Sequence, residues 1–201
     1  MLRVYGAAKS RALRTLWMVG ELGIPYEQKD YLPRSPETKT PEYRALNANG
    51  RVPTIDDDGF ILSESMAINF YLAKKHGSPL LPKDPKDEAR AMQWSLWETD
   101  RLDRQLVDYV RHSKELPEAE RKADVAAAMW QQCTESFDVL EKALAKSEWL
   151  AGPQFSVGDL NVAGALYRGL FVDLSKWPKT QAWLKKCWDR PAAKKARAMR
   201  E

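Results

Sequence analysis

Ser10 stands behind a short apolar run, Leu2-Arg3-Val4-Tyr5, and opens an amphipathic stretch from Arg11 to Leu22. A strand that feeds a serine at a helix start sets a hydroxyl among backbone N–H groups without intrahelical partners, at the positive end of the helix macrodipole. An anion is welcome there, and the hydroxyl can donate to it. The same serine also serves as an ordinary N-cap, and its position alone leaves both roles open. A second helix start follows at Glu64-Ser65, ahead of Met66, Ala67, Phe70 and Tyr71 at helical spacing. Its amides favour a carboxylate for the same reason. Between the two lies Arg51-Val52-Pro53-Thr54-Ile55, a basic residue leading into a strand whose proline cannot donate a ladder hydrogen bond.

Other reactive side chains are few. Cys133 and Cys187 are far apart, with no CxxC and no histidine nearby, a spacing that offers neither a zinc site nor a disulfide framework. With His76 and His112 as the only histidines, a Ser-His-Asp triad would require His112 to meet a distant serine. No metal site is expected. The balance of 32 basic against 28 acidic residues, net +4, does not call for a nucleic acid partner. The most basic stretch holds Lys185, Lys186, Arg190, Lys194, Lys195, Arg197 and Arg200. It reads either as a solvated helix end favoured by the macrodipole or as a binding patch. No run of about 18 apolar residues occurs, and no apolar signal core follows Arg3, so the expected location is cytoplasmic, without a membrane partner.

Positioning these groups takes a particular order of elements. The 201 residues, 44% of them hydrophobic, can build one large domain or two small ones. Strands are predicted over 2–5 and 26–31 with a helix over 11–22 between them, then a hairpin of 52–56 and 60–62 turning at Asp58-Gly59, then a helix over 65–75. The helical crossover makes the first two strands parallel and the tight turn makes the last two antiparallel. The result is a small mixed sheet of thioredoxin-like type. The polar segment from Arg34 to Thr40 reads as a mobile loop. A linker with Pro79, Pro82 and Pro85 leads to an all-helical remainder: one long helix over 87–112, carrying Met92, Leu96, Leu102, Leu106 and Val110, then helices over 118–146, 157–169 and 179–188. Phe155-Ser156-Val157-Gly158-Asp159-Leu160 combines a capping box with the positions of a hydrophobic staple, and reads as a well-capped helix start without chemistry.

Ser10, Val52-Pro53 and Glu64-Ser65, in that order and spacing, resemble the glutathione-binding half of the cytosolic glutathione S-transferases, of the serine type seen in theta-like and bacterial members. Leu22-Gly23-Ile24-Pro25-Tyr26-Glu27 is similar to the family's passage from first helix to second strand, and the capping box to the start of a buried helix in its C-terminal domain. The resemblance implies a thioredoxin-like glutathione-binding domain over 1–78 and an all-helical domain over 86–201 that contributes the electrophile pocket. It implies glutathione as co-substrate, with Ser10 as the hydroxyl that stabilises its thiolate. By the same resemblance a cis Val52-Pro53 bond turns the Val52 backbone toward the cysteinyl residue of glutathione, Glu64 and Ser65 hold the γ-glutamyl end, and Arg51 faces the glycyl carboxylate with Lys39 as a second candidate. Surface solvation accounts for Arg51 equally well and is the better account of Lys39. Tyr5 is the competing donor, although its place inside the first strand suits core packing.

The electrophile pocket is expected where Ala7, Ala8 and Lys9 face the helix carrying Trp97, Arg101, Arg104 and Tyr109; aromatic residues at helical spacing also suit a core. The activity implied is attack of glutathione thiolate on small apolar electrophiles, a detoxifying transferase working as a homodimer. Met66, Asn69 and Phe70 on one helix and Arg90, Trp94 and Trp97 on another are expected to form the dimer face. A glutathione-dependent peroxidase or isomerase needs the same thiolate, and a non-catalytic glutathione-binding or protein-interaction module is the alternative of another class. Three departures stand out: Asn49 replaces a proline common in the family's turn, Ala48 blurs the register beside it, and Gly158 stands where a small helix former is usual, at an expected cost of about 0.5–1 kcal/mol.

Overall fold

A computed structural model describes residues 1–201. The chain divides into two compact units, residues 1–81 together with 188–201, and residues 82–187. In the first, strands β1 (Leu2–Tyr5), β2 (Tyr26–Lys29), β3 (Thr54–Asp57) and β4 (Phe60–Ser63) form one sheet in the order β2-β1-β3-β4. β1 runs parallel to β2 and antiparallel to β3, and β3 pairs antiparallel with β4. The hairpin turn carries positive φ at Asp58 (53°) and Gly59 (92°), which matches the right-handed twist of the strands it joins.

Helix α1 (Ala12–Leu22) packs against α3 (Ser65–Lys75) over a core that includes Val4, Leu16, Ile55, Ile68 and Leu72. It stops at Gly23, which takes the left-handed conformation, with Gly23 and Ile24 N–H groups returning to the Gly20 and Val19 carbonyls. That is a Schellman ending, and it reverses the chain into β2. In α3 the interior is lined by Ser65, Ile68, Asn69, Leu72 and Ala73, while Met66, Phe70 and Tyr71 are half-buried and Ala67 is exposed. Both sets obey helical spacing, so periodicity alone does not say which faces inward. Asn69 is fully buried, its amide directed to the Arg14 carbonyl at 3.3 Å, and it therefore drops out of the expected dimer face.

The segment from Arg34 to Thr40 is not an open loop. A 3-10 turn, Pro36–Lys39, with Thr38 buried, runs into a short helix α2 (Pro41–Leu46) whose start is capped by Thr40.

In the second unit the expected helix over 87–112 is two: α4 (Pro85–Arg101) and α5 (Asp103–Val110), broken at Leu102. Ser136 in α6 (Ala123–Leu144) donates its hydroxyl to the Arg101 carbonyl at 2.9 Å, which diverts an acceptor the helix would otherwise use. A π-helical turn, Arg111–Glu115, and a 3-10 turn, Glu118–Glu120, fill the approach to α6. α7 (Val157–Ala165) starts at the capping box, and a 3-10 turn over Leu166–Phe171 completes the expected third helix. The Asp159 carboxylate accepts from the backbone of Leu150 and Ser156, the Ser156 hydroxyl and the Trp183 indole. Burial pushes its pKa up while these donors pull it down. α8 (Pro178–Trp188) is capped by Glu141 of α6, which takes the amides of Lys179 and Thr180.

The last helix, α9 (Pro191–Ala198), belongs to the first unit, where the expectation had one helical domain running from 86 to 201. Ala192 rests on Gly20 of α1, Trp188 stacks on Trp17 at 4.8 Å, and Arg190 forms a two-point bridge with Glu21 at 2.7 Å.

Gly158 also proves to be a packing residue rather than a weakness. A Cβ there would lie 2.8 Å from the Ala91 Cα of α4. Gly158→Ala would gain about 1 kcal/mol of helix propensity, yet backbone in that position cannot yield cheaply, and overpacking costs about 1–3 kcal/mol. The expected result is a thermal midpoint lowered by about 2–4 °C, read by circular dichroism; an unchanged or raised midpoint would show that α4 and α7 can part without loss.

Candidate functional site

Ser10 lies in the turn between β1 and α1, one residue ahead of the helix cap position at Arg11. Its oxygen accepts the Ala12 N–H at 3.0 Å, and its proton goes to the Ala7 carbonyl at 2.7 Å. That carbonyl also receives the Ser10 N–H at 3.1 Å. The hydroxyl is therefore both a cap and a donor. It can turn its single proton elsewhere, leaving the Ala7 carbonyl with the backbone bond, and the helix amide on its oxygen makes it a better donor when it does. Arg11 beside it is exposed, whereas Arg14 is buried.

The turn is pinned to β2 through Gly6 N–H on the Lys29 carbonyl and Ala7 N–H on the Tyr31 carbonyl, both 2.8 Å. Gly6 has φ 147°, and a Cβ on it would meet Ala12 at 2.6 Å and Val52 at 3.3 Å. The Ser10 turn and the Val52-Pro53 segment thus lie side by side because Gly6 has no side chain. Val52-Pro53 is cis. Pro53 is buried and Val52 half-buried, and neither the N–H nor the C=O of Val52 has a hydrogen-bond partner. A half-buried residue beside a sheet end with both groups unpaired can receive an extended peptide as its partner.

The carbonyl just before it is held firmly. Arg51 O accepts the Tyr43 hydroxyl at 2.7 Å and the Asn47 amide at 3.0 Å, and both groups also bond the Thr54 hydroxyl. Asn47 Oδ1 takes the Asn49 N–H, shaping the turn through Gly50. Asn49 therefore works through its backbone, which any residue but proline supplies. Tyr43, Asn47 and Thr54 were not singled out from the sequence; the Asn-Ala-Asn-Gly turn chemistry was the available signal for one of them. The Gly50 backbone packs on the Thr38 carbonyl, which brings the segment bearing Lys39 beside Arg51. Both cations are exposed.

Glu64 and Ser65 open α3. Glu64 takes φ 71° and ψ 109°, a conformation that costs a non-glycine residue about 1–3 kcal/mol. No side chain caps the helix. Ser65 is buried at its first turn and Glu64 exposed, so a serine hydroxyl, helix amides and a free carboxylate converge there.

Tyr5 is core. It is 8% exposed and packs within 6 Å, centroid to centroid, of Tyr31 (5.8 Å) and Tyr43 (5.7 Å). Ala7 and Ala8 are buried and Lys9 is exposed. In the second unit the pocket candidates are split by the break at Leu102. Trp97, edge-on to Trp94 at 5.0 Å, and Arg101 share a face of α4; Arg104 and Tyr109 are on α5. Arg101 and Arg104 pair with Asp100 and Asp108 at the surface, and Tyr109 stacks on Trp130 at 4.6 Å in a cluster with Phe137 and Trp177. Cys133 is buried in α6, which pushes its thiol up to about 12, and Cys187 is buried in α8. Neither stands at a helix start. No group of three His, Cys, Asp or Glu side chains is arranged to hold a metal, and no helix is long and apolar enough to cross a membrane.

Residues 1–74 match the glutathione S-transferase N-terminal domain and residues 101–191 the C-terminal domain of the same name. Glutathione S-transferase GstB of Escherichia coli is 32% identical, covering 97% of each chain. Glutathione S-transferase D7 of Drosophila melanogaster is 28% identical over 92% of this chain and 83% of its own. The crystal structure of the theta class glutathione S-transferase of Xanthomonas axonopodis pv. citri, with glutathione bound, superposes with a TM-score of 0.90 at 31% identity, covering 97% of this chain and 96% of that one.

The geometry makes Asn47 the keystone of the segment before Val52. Asn47→Ala leaves the Asn49 N–H without its acceptor and removes one of the donors to the Arg51 carbonyl. A loss of about 1–3 kcal/mol is expected, measured as a fall in the urea midpoint at constant slope. A shift of only a few tenths would mean that Tyr43 holds the carbonyl unaided.

Proposed function

Because the chain belongs to the glutathione S-transferase family, we propose that it binds glutathione in its first unit and activates the thiol for attack on small apolar electrophiles. One observation carries the reading: the unpaired backbone of Val52, the mobile proton of Ser10 and the uncapped start of α3 lie in one compact unit, with Gly6 joining the first two. An extended tripeptide with a carboxylate at each end and a thiol between suits such a set. Val52 pairs with the cysteinyl backbone, and Ser65 with the α3 amides takes the γ-glutamyl carboxylate. Glu64 meets the γ-glutamyl ammonium, and Arg51, with Lys39 beside it, meets the glycyl carboxylate.

A thiol of pKa near 8.5 is mostly protonated at neutral pH. Its proton leaves to solvent, and the Ser10 hydroxyl turns from the Ala7 carbonyl to the sulfur, favouring the thiolate. The sulfur lone pair then forms a bond to the electrophilic carbon while the leaving group departs with its electron pair. No covalent enzyme intermediate is needed. A peroxidase or isomerase reaction would start from the same thiolate.

We also assign the protein a homodimeric state. Met92 and Leu96, four residues apart on α4, are 49% and 65% exposed, an apolar pair that a partner copy would cover. Sedimentation at micromolar concentration should give a dimer, and Leu96→Glu a monomer. A wild-type monomer would refute the assignment.

The catalytic reading rests on the hydroxyl. A hydrogen bond to a charged group contributes about 1.5–3 kcal/mol, but the proton is drawn from the Ala7 carbonyl, a neutral bond of about 1 kcal/mol. The net corresponds to about one pKa unit at 1.36 kcal/mol each. Ser10→Ala should therefore raise the pKa of bound glutathione by about one unit and slow conjugation about tenfold at neutral pH, with recovery at higher pH. Tyr5→Phe should change neither. Thiolate absorbance titrated on both variants decides the matter, and a raised pKa in Tyr5→Phe with an unchanged one in Ser10→Ala would move the role to Tyr5.

A further inference from the structure

The basic stretch near the end of the sequence resolves into separate contacts. Lys186 pairs with Glu148 and lies over the Trp149 ring, Arg190 pairs with Glu21, Lys194 with Asp189 and Arg197 with Glu201. Arg200 goes elsewhere. Just beyond α9, with its own N–H and that of Glu201 returned to the Arg197 carbonyl, it donates Nη1 to the Ala8 carbonyl at 2.9 Å, 192 positions away in sequence. Ala8 is buried in the turn that carries Ser10. Gly6 and Ala7 of the same turn bond in the opposite direction, to Lys29, Tyr31 and Gln28 on the β2 side. The Ala8 carbonyl is its far side, and Arg200 is its anchor there.

We propose that Arg200 is a positioning residue for the Ser10 hydroxyl: it ties the Ala8 carbonyl and so fixes the turn from which Ser10 reaches the sulfur of glutathione. The inference rests on the reading of Ser10 as the thiolate donor. A hydrogen bond to sulfur weakens steeply with misalignment, and small displacements of a positioning group are costly in rate. The guanidinium suits the task because it stays protonated throughout the range in which the thiol titrates, and its planar fork loses little freedom when bound. The bond from Arg200 falls on the turn that carries Ser10 and not on the residues assigned to the ends of glutathione, so its effect should fall on the thiol and not on binding.

The test compares Arg200→Met, which keeps an unbranched stem and removes donor and charge, with Arg200→Lys, which keeps both. In Arg200→Met the thiolate absorbance of bound glutathione should titrate about half a unit to one unit higher, with kcat at neutral pH lowered about threefold to tenfold. KM for glutathione should move less than twofold. Arg200→Lys should recover most of the shift. The difference between Arg200→Met and wild type should persist in 1 M sodium chloride, where a distant charge is screened within about 3 Å. A difference that vanishes at high salt would replace the tether with a field effect and overturn the proposal. So would a wild-type thiol pKa in Arg200→Met, even with a lowered melting temperature, since that is what a purely structural contact gives. If wild type forms no thiolate with glutathione, the reading of the site fails and this inference with it, an outcome distinct from normal wild-type titration with an unaffected variant.

Discussion

The arrangement of the first unit depends on a close approach at Gly6. Its φ of 147° and the 2.6 Å that would separate a Cβ from Ala12 leave no room for any side chain. Through that gap the turn carrying Ser10 and the Val52-Pro53 segment, more than forty residues apart in sequence, come to lie against each other. The pairing of β1 with β3 sets these two segments beside each other, and the bare Gly6 lets them close, where a side chain would wedge between Ala12 and Val52. A strand leading to a helix start is common; here it is also pressed against the beginning of an antiparallel strand, which sets a hydroxyl beside an unpaired backbone segment.

What surrounds this approach is mostly hydrogen bonding directed at carbonyl groups. The Ala7 carbonyl stores the Ser10 proton, the Arg51 carbonyl is gripped by Tyr43 and Asn47, and the Ala8 carbonyl is taken by Arg200. Fixing the carbonyls ahead of Val52 and Ser10 restricts the backbone there, while the N–H and C=O of Val52 stay unpaired. Tyr5, Tyr31 and Tyr43 provide the apolar backing, ring against ring, and burial pushes the Tyr43 phenol pKa up, so that it remains a donor. The strained backbone of Glu64 belongs to the same pattern: a conformation no local preference would select, kept where α3 begins.

The second unit solves a different problem, the close packing of helices that carry polar groups inside. Asp159 gathers four donors from three segments, Glu141 caps a helix other than its own, and Ser136 draws the Arg101 carbonyl out of the helix. Gly158 permits α7 to approach α4 at backbone distance. These contacts hold the face of α4 on which Trp97 and Arg101 lie, and they give the unit its own interior.

The parallel sense of the first two strands, the antiparallel sense of the last two, the Asp58-Gly59 turn and the capping box were legible in the sequence, because each follows from short-range chemistry: turn residues, a crossover length, a cap with its partner three residues on. Ser10, Val52-Pro53 and Glu64-Ser65 were legible as a set for the same reason, since each marks the start of an element. The tertiary structure alone decided which of two apolar stripes on α3 faces inward, where the helix over 87–112 breaks, and that the alanine-rich α9 joins the first unit. Those outcomes turn on which distant atoms compete for a surface or a carbonyl, as Ala192 does at Gly20, Ser136 at Arg101 and Arg200 at Ala8. A sequence displays the donors and acceptors, but their pairing across a hundred or more residues is settled only when the core closes and leaves each buried group one partner within reach.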